Sequence, residues 1–247
     1  MIAELLSKVN ALQNIHIEIT NKCNLACVHC YVSDRNSSFS TDVFLSFDII
    51  KRIIVEAKAL GAITITLTGG EPILHPSFLE IIEFAKKNNV ALKLMTNGTL
   101  ISEKNISQIK KYVNHIYLTQ YGYDEESYEN TVGKKNMYHK FNRAINLLNL
   151  HRISYDINYT MTTMNCNDLL KIARNFNSVE THISYQKKNP YSKKYQVSIE
   201  CLKKYYSLLE ETKPITNSDR LMCNICQNSL TIKCNGMVTP CPSFDYY

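Results

Sequence analysis

From Ile15 onward the chain alternates strand-like and helix-like runs, and this alternation limits most strongly what it can fold into. Strand patterns occupy residues 15–20, 63–68, 91–95, 115–120, 155–161 and 179–185. Helical patterns follow them at 46–60, 77–89, 103–113, 138–150, 167–175 and 199–212. Several helices carry start or stop signals: Ser102 precedes Glu103 and Lys104, Asn165 or Asn167 precedes Asp168, and Gly61 follows the first helix. Repeating strand–helix units predict an α/β fold with a parallel sheet and right-handed crossovers. They are too few for a closed eight-stranded barrel. The pattern by itself leaves a doubly wound open sheet as an alternative to a partial barrel.

The chain has 247 residues, 45% of them hydrophobic and 20% charged, enough for one good-sized core with at most a small appendage. Its net charge of +6 is spread over single lysines and short pairs such as Lys134-Lys135 and Lys187-Lys188. No basic run has the length of a nucleic-acid patch, so no nucleic-acid partner is expected. No apolar run is long enough to cross a bilayer, which argues against a membrane protein. Glu4 and Lys8 lie among apolar residues at helical spacing, so residues 1–14 predict a short amphipathic helix rather than a secretory signal. Nine cysteines, an odd number and unevenly clustered, argue against a secreted disulfide scaffold and for a reducing cytoplasm.

Three of those cysteines, Cys23, Cys27 and Cys30, follow the first strand as C-x3-C-x2-C. Three thiolates bind a four-iron cluster and leave one iron without a protein ligand, and an open position is what separates catalytic from structural metal sites. Buried free cysteines are one alternative. A zinc knuckle is another, but it wants a fourth ligand, and His29 lies between two of the thiols, where it reaches a shared metal only with strain.

The cysteine loop resembles the cluster loop of the radical S-adenosylmethionine (radical SAM) enzymes, and a second motif agrees with it. The strand at 63–68 runs into Gly69-Gly70-Glu71-Pro72, which is similar to that family's GGE motif. Glycines let the backbone turn sharply and approach a neighbour closely. The Glu71 carboxylate and nearby carbonyls can accept hydrogen bonds from the α-ammonium of SAM. The resemblance decides for a partial (β/α)6 TIM-like barrel, with chemistry at the C-terminal strand ends. It implies a [4Fe-4S] cluster with an open iron on Cys23, Cys27 and Cys30, and SAM held by Gly69, Gly70, Glu71 and Pro72. Further candidate contacts are Asn97, which also reads as a plain Asn-Gly turn, and Thr119 at the end of the fourth strand, with Gln120 and Gly122 beside it. Asn158 and Met161 on the fifth strand are candidates to face the adenosine. Residues 123–133 (YDEESYENTVG) resemble a segment after the fourth strand in peptide-modifying and cofactor-building members, and their acidic residues start a helix or solvate a loop.

A second group, Cys223, Cys226, Cys234 and Cys241, is similar to the opening half of the SPASM/twitch extension that binds auxiliary iron–sulfur clusters. Its intervening text predicts a small cysteine-bearing hairpin turning at Asn235-Gly236. The pattern then stops short of its usual further cysteines. Three explanations stand: a longer natural chain, one four-cysteine cluster, or a zinc site. Cys166 and Cys201, in helical contexts, read as core fillers. The expected organisation is a helix at 1–14, the barrel at 15–213 and the extension at 214–247.

What the resemblance implies is reductive cleavage of SAM to a 5′-deoxyadenosyl radical that abstracts hydrogen from a substrate. An external donor of flavodoxin or ferredoxin type supplies the electron. The leading expectation is a maturase forming a cross-link, thioether or epimer in a ribosomally made peptide. Residues 1–14 leave no room for a fused recognition domain, so a separate leader-peptide-binding protein is expected. A sugar or cyclitol dehydrogenase is the small-molecule alternative, and a non-catalytic metal-stabilised binding protein is the third. For an epimerase, Cys223 is the candidate catalytic hydrogen donor.

Overall fold

A computed structural model describes residues 12–30, 32, 41–176, 179–183, 197–212 and 229–241. The order is β1 (Asn14–Thr20), α1 (Phe47–Ala59), β2 (Thr64–Gly69), α2 (Phe78–Lys87), β3 (Ala91–Thr96), α3 (Ile106–Tyr112) and β4 (His115–Gln120). Then come α4 (Glu125–Val132), α5 (Met137–Leu150), β5 (Tyr155–Met161), α6 (Leu169–Asn175), β6 (Val179–Ile183), α7 (Ile199–Thr212), β7 (Ser229–Ile232) and β8 (Val238–Thr239). Short 3-10 turns lie at Pro72–Leu74 and Cys166–Asp168. Among the described residues no helix is long and apolar enough to cross a membrane.

Local chemistry explains where the helices start and stop. The Ser46 hydroxyl caps α1 by accepting from the Ile49 N–H, Asp48 sits in the first turn and Lys58 in the last, and Ile50, Ile54 and Ala57 recur on one buried face. Asp124 and Ser127 form a reciprocal capping box on α4, and Gly133 ends that helix in the left-handed region at φ 64°. Two signals acted differently from expectation. Helix α3 begins at Ile106, because the Asn105 side chain accepts from Ser102 N–H and donates to the Leu100 carbonyl, tying a turn ahead of it. Asn165 caps nothing: buried, it accepts from Thr162 N–H and donates to the Tyr121 and Thr160 carbonyls, stapling the ends of β4 and β5.

Strand order is β6-β5-β4-β3-β2-β1-β7-β8, parallel throughout except for the β7–β8 pair. Side-chain parity settles the architecture. Ile15, Ile17, Ile19, Ile65, Leu67, Leu92, Leu94, Ile116, Leu118 and Ile157 share one buried cluster with the inner faces of α1, α2, α3 and α5. Each fully buried Ile or Leu contributes about 1.5–3 kcal/mol there. The other parity is polar: His16, Glu18, Thr66, Thr68, Lys93, Tyr117, Thr119, Asp156 and Asn158. A doubly wound sheet buries both faces against helices and reads apolar on both. This sheet packs helices on one face and leaves a polar concave wall on the other, which is a partial barrel.

The C-terminal hairpin corrects the sequence reading at its turn. Its strand β7 pairs in parallel with β1, from Asn14↔Ser229 to Ile17↔Ile232, and continues the barrel wall. The hairpin does not turn on two residues. Lys233 N–H donates to the Met237 carbonyl and Gly236 N–H to the Lys233 carbonyl, so Cys234, Asn235 and Gly236 form a three-residue loop with Gly236 at φ 84°. Cys234 therefore sits in the loop rather than on an arm. Cys166 and Cys201 are not separate core fillers but a disulfide joining the turn before α6 to α7, with Cα atoms 5.9 Å apart. Parity in one helix cannot show a partner on another. The cysteine count alone therefore does not establish a reducing setting.

Candidate cofactor site at the strand ends

The cysteine loop leaves β1 at Thr20 and is braced by backbone from several elements. Thr20 Oγ1 donates to the Val43 carbonyl at 2.8 Å, and Asn21 Oδ1 accepts from Val43 N–H at 2.7 Å. On the other side, Ala26 and Val28 N–H donate to the Val132 and Thr131 carbonyls, both at 3.0 Å. Those carbonyls end α4 and have no partner within the helix. Lys134 Nζ adds a bond to the Asn24 carbonyl at 3.0 Å. A Cβ on Gly133 would come within 2.7 Å of the Ala26 oxygen. The 123–133 segment is thus more than a capped helix: its C-terminal end holds the cysteine loop, a role that its sequence signals did not disclose.

The glycines of the second motif answer to the same loop. Gly70 N–H donates to the Thr20 carbonyl and Glu71 N–H to the Lys22 carbonyl, each at 2.8 Å. A Cβ on Gly69 would overlap the Thr20 oxygen, and one on Gly70 the Lys22 oxygen. Gly69 also has φ 130°, a conformation that side chains disfavour. Close approach is required, and the nearest neighbour is the cysteine-loop backbone.

Glu71 is fully buried, and its carboxylate is largely occupied. One oxygen accepts from Thr96 Oγ1 at 2.8 Å and Ile73 N–H at 3.2 Å, the other from Asn97 N–H at 2.9 Å. Burial pushes its pKa up to about 7, against the pull of those bonds from Asn97, Thr96 and Ile73. Asn97 carries the connection onward. Its Oδ1 accepts from Thr99 N–H at 2.9 Å, the turn expected of an Asn-Gly pair, while its Nδ2 donates to Asn24 Oδ1 at 3.0 Å and points at Cys23 Sγ, 3.9 Å away. A continuous line therefore runs from Pro72 through Glu71 and Asn97 to Cys23.

Thr119 lies half-buried on the concave parity of β4, opposite Asn158 on β5. Asn158 is 4% exposed, and its Oδ1 has no hydrogen-bond partner among the described residues. Gln120 turns the other way, with its amide nitrogen on the Gly122 carbonyl. Met161 has opposite parity to Asn158 and is packed in the helix-side core, so it does not face the concave wall.

Burial pushes the Cys23 thiol up to about 12 and the Cys27 thiol well above the ordinary range, with neighbouring thiols adding to it. Tyr121, just past β4, hydrogen-bonds the Cys27 sulfur, and its ring meets His29 at 5.7 Å and Tyr128 at 5.6 Å. Bound iron would supply the positive charge that these buried thiolates need. Among the described residues no three Cys, His, Asp or Glu side chains converge closely enough for a single metal ion. In the second group, Cys234 is buried and Cys241 half-buried just past β8. Cys223 and Cys226 lie outside the described residues.

The Radical SAM superfamily sequence model matches residues 17–176. The AdoMet-dependent heme synthase of Methanosarcina barkeri is 26% identical over 185 residues, 73% of this chain and 52% of that protein. The subtilosin biosynthesis protein AlbA of Bacillus subtilis is 28% identical over 138 residues, 55% of this chain and 30% of AlbA. The chain thus spans about half or less of these relatives. Among solved structures, Streptococcus suis SuiB bound to S-adenosylmethionine superposes with TM-score 0.72 at 17% identity, over 98% of this chain and 64% of SuiB. AnSMEcpe with bound AdoMet and the Cp18Cys peptide gives 0.71 at 18% identity, over 96% and 75%. The family match runs from β1 to the residue after α6 and takes in both motifs, so the chain belongs to the radical SAM superfamily.

Proposed function

We propose that this chain cleaves S-adenosylmethionine reductively and modifies a ribosomally made peptide. The observation that carries the first half is the interlock of the two motifs, in which Gly70 and Glu71 bond the backbone that carries Cys23. Cys23, Cys27 and Cys30 would hold a [4Fe-4S] cluster with an open iron. With SAM bound, that cluster supplies the electron that yields a 5′-deoxyadenosyl radical and so activates a carbon beyond the reach of acid–base chemistry. Gly69, Gly70, Glu71 and Pro72 would receive the methionine end of SAM, and Asn97 and Thr119 its carboxylate or ribose. Because Glu71 already accepts three bonds, it acts chiefly by setting the Asn97 backbone and the turn, leaving backbone carbonyls for the SAM ammonium.

Support for a peptide substrate comes from relatives: AlbA acts in subtilosin biosynthesis, SuiB has been seen with its precursor peptide SuiA (TM-score 0.62), and anSMEcpe with a Cys-containing peptide. A small-molecule dehydrogenase is the second reading, supported by a weaker superposition on BtrN with 2-DOIA (TM-score 0.53). The rest of the reading is an electron donor of flavodoxin or ferredoxin type, a separate leader-binding protein, and a cytoplasmic setting. Cys223, Cys226, Cys234 and Cys241 are proposed to hold an auxiliary iron–sulfur cluster, with Cys223 as hydrogen donor should the product be an epimer.

The test is anaerobic reconstitution followed by dithionite reduction with SAM. Wild type should release 5′-deoxyadenosine, and Cys27→Ala should release none while keeping its circular dichroism spectrum. Equal release from both proteins would refute the assignment. Co-expression with short peptides encoded nearby, read by mass spectrometry, tests the substrate class.

A further inference from the structure

The concave wall below the rim carries more charge than cofactor binding uses. Four strands place Glu18, Lys93, His115 and Asp156 on it, and Lys233 reaches it from the hairpin. Most of these groups are matched. Lys233 Nζ lies 3.4 Å from Glu18 with both side chains 1% exposed, and His115 Nε2 lies 2.9 Å from Asp156. Lys93 is different. Its ammonium meets the Tyr117 hydroxyl at 3.4 Å and stands 5.6 Å from that ring, with no carboxylate within ion-pair distance among the described residues. An ammonium has three donors, and one long bond to a phenol leaves it under-used.

The neighbours fit an anion. His16 shares its row on the wall with Lys93, through Thr66 between them in the register. Burial, and then the Lys93 charge, hold the His16 pKa below its ordinary value, which favours the neutral imidazole. Its Nδ1 is buried with no hydrogen-bond partner among the described residues, and so is Oγ1 of Thr231, the residue paired with it on β7. Lys93 lies three residues before the end of β3, about 10 Å below the rim where Asn97 meets the cysteine loop. A substrate would meet it only by reaching below the rim.

We propose that this wall binds a carboxylate of the substrate, held by Lys93 with Tyr117 and His16 as flanking hydrogen-bond donors. The proposal deepens the reading of the barrel as an enzyme's substrate cavity, but its test needs no turnover. Ligand-observed NMR on the anaerobically reconstituted protein would compare N-acetylglutamate α-amide, its glutamine counterpart and N-acetylglycine. Wild type should bind the glutamate probe about tenfold more tightly than the glutamine probe, the effect of one charge-assisted bond. Lys93→Gln should abolish that preference, and Lys93→Arg should keep it, with thermal melts confirming that both variants fold. Whichever carboxylate probe binds more tightly assigns the anion to an acidic side chain or to a chain terminus.

Equal binding of the glutamate and glutamine probes to wild type, or a preference that survives Lys93→Gln, overturns the proposal. So does loss of the preference when SAM is added, because Lys93 would then be holding the carboxylate of SAM. Absence of 5′-deoxyadenosine, measured separately, would sink the proposed enzymatic activity and leave the carboxylate site standing.

Discussion

Two cysteine-bearing regions are tied to this barrel in opposite ways. The loop of Cys23, Cys27 and Cys30 is locked by short backbone hydrogen bonds from the Gly-Gly turn after β2, from the C-terminal end of α4 and from Val43, with Asn97 added from β3. Among the described residues, the hairpin with Cys234 and Cys241 is joined to the barrel by a parallel ladder to β1 and by a buried ion pair, Lys233 with Glu18. The first attachment is distributed over many contacts, most of them between neutral groups. The second concentrates its risk in two charges, because a buried charge that loses its partner is far more costly than a lost surface bond. Three changes probe the contrast.

The largest effect should come from Lys233→Met, which leaves the Glu18 carboxylate buried without its lysine. We expect a loss of about 3–5 kcal/mol in urea unfolding, with most of it recovered in the Lys233→Met/Glu18→Gln double variant. A single variant as stable as wild type would show that the hairpin is held by its ladder alone.

Next comes Glu71, at the centre of the distributed attachment. Its folded pKa, about 7, lies above the ordinary carboxylate value of 4.5. The folded state therefore favours the protonated form, so this contribution is full below about pH 4.5 and fades as pH rises through 7, by about 3 kcal/mol in all. Glu71→Gln should flatten that part of the stability–pH curve. A curve that keeps its slope in the variant would place the titrating group elsewhere.

The smallest loss is expected from Gly70→Ala, where the new methyl meets the Lys22 carbonyl. The loop has other anchors, so the cost should be about 1–3 kcal/mol. Iron retained per chain after reconstitution should fall with it. Unchanged iron content would mean that the Gly-Gly turn does not set the thiol positions.

Local pattern made much of this molecule legible. The apolar spacing of α1 and the alternation of β1 to β5 place their buried residues correctly, because side-chain direction follows the 3.6- and 2-residue periods. Both motifs at the strand ends were visible as text, whereas residues 123–133 stood open between a helix start and a solvated loop until the structure folded them as α4. Several features were not. Helix α3 starts late because a side chain competes for the backbone at Asn105. The Cys166–Cys201 bond joins elements 35 residues apart, and neither cysteine is marked by its neighbours. Met161 and Asn158, three positions apart on one strand, cannot share a face, and only packing shows that Met161 is the one turned into the helix-side core.

Short-range chemistry thus carried the alternation of strands and helices, the cysteine triad and the Gly-Gly-Glu-Pro turn, since each depends on residues a few positions apart. Tertiary structure alone decided three things. It showed that the Gly-Gly turn and α4 grip the same cysteine loop. It made the hairpin strand β7 a continuation of the wall beside β1. It turned alternate polar residues from five strands into one concave surface, on which Lys93 has no carboxylate within ion-pair distance among the described residues. Each rests on pairing between distant segments, where loop closure brings together groups that no local period can connect.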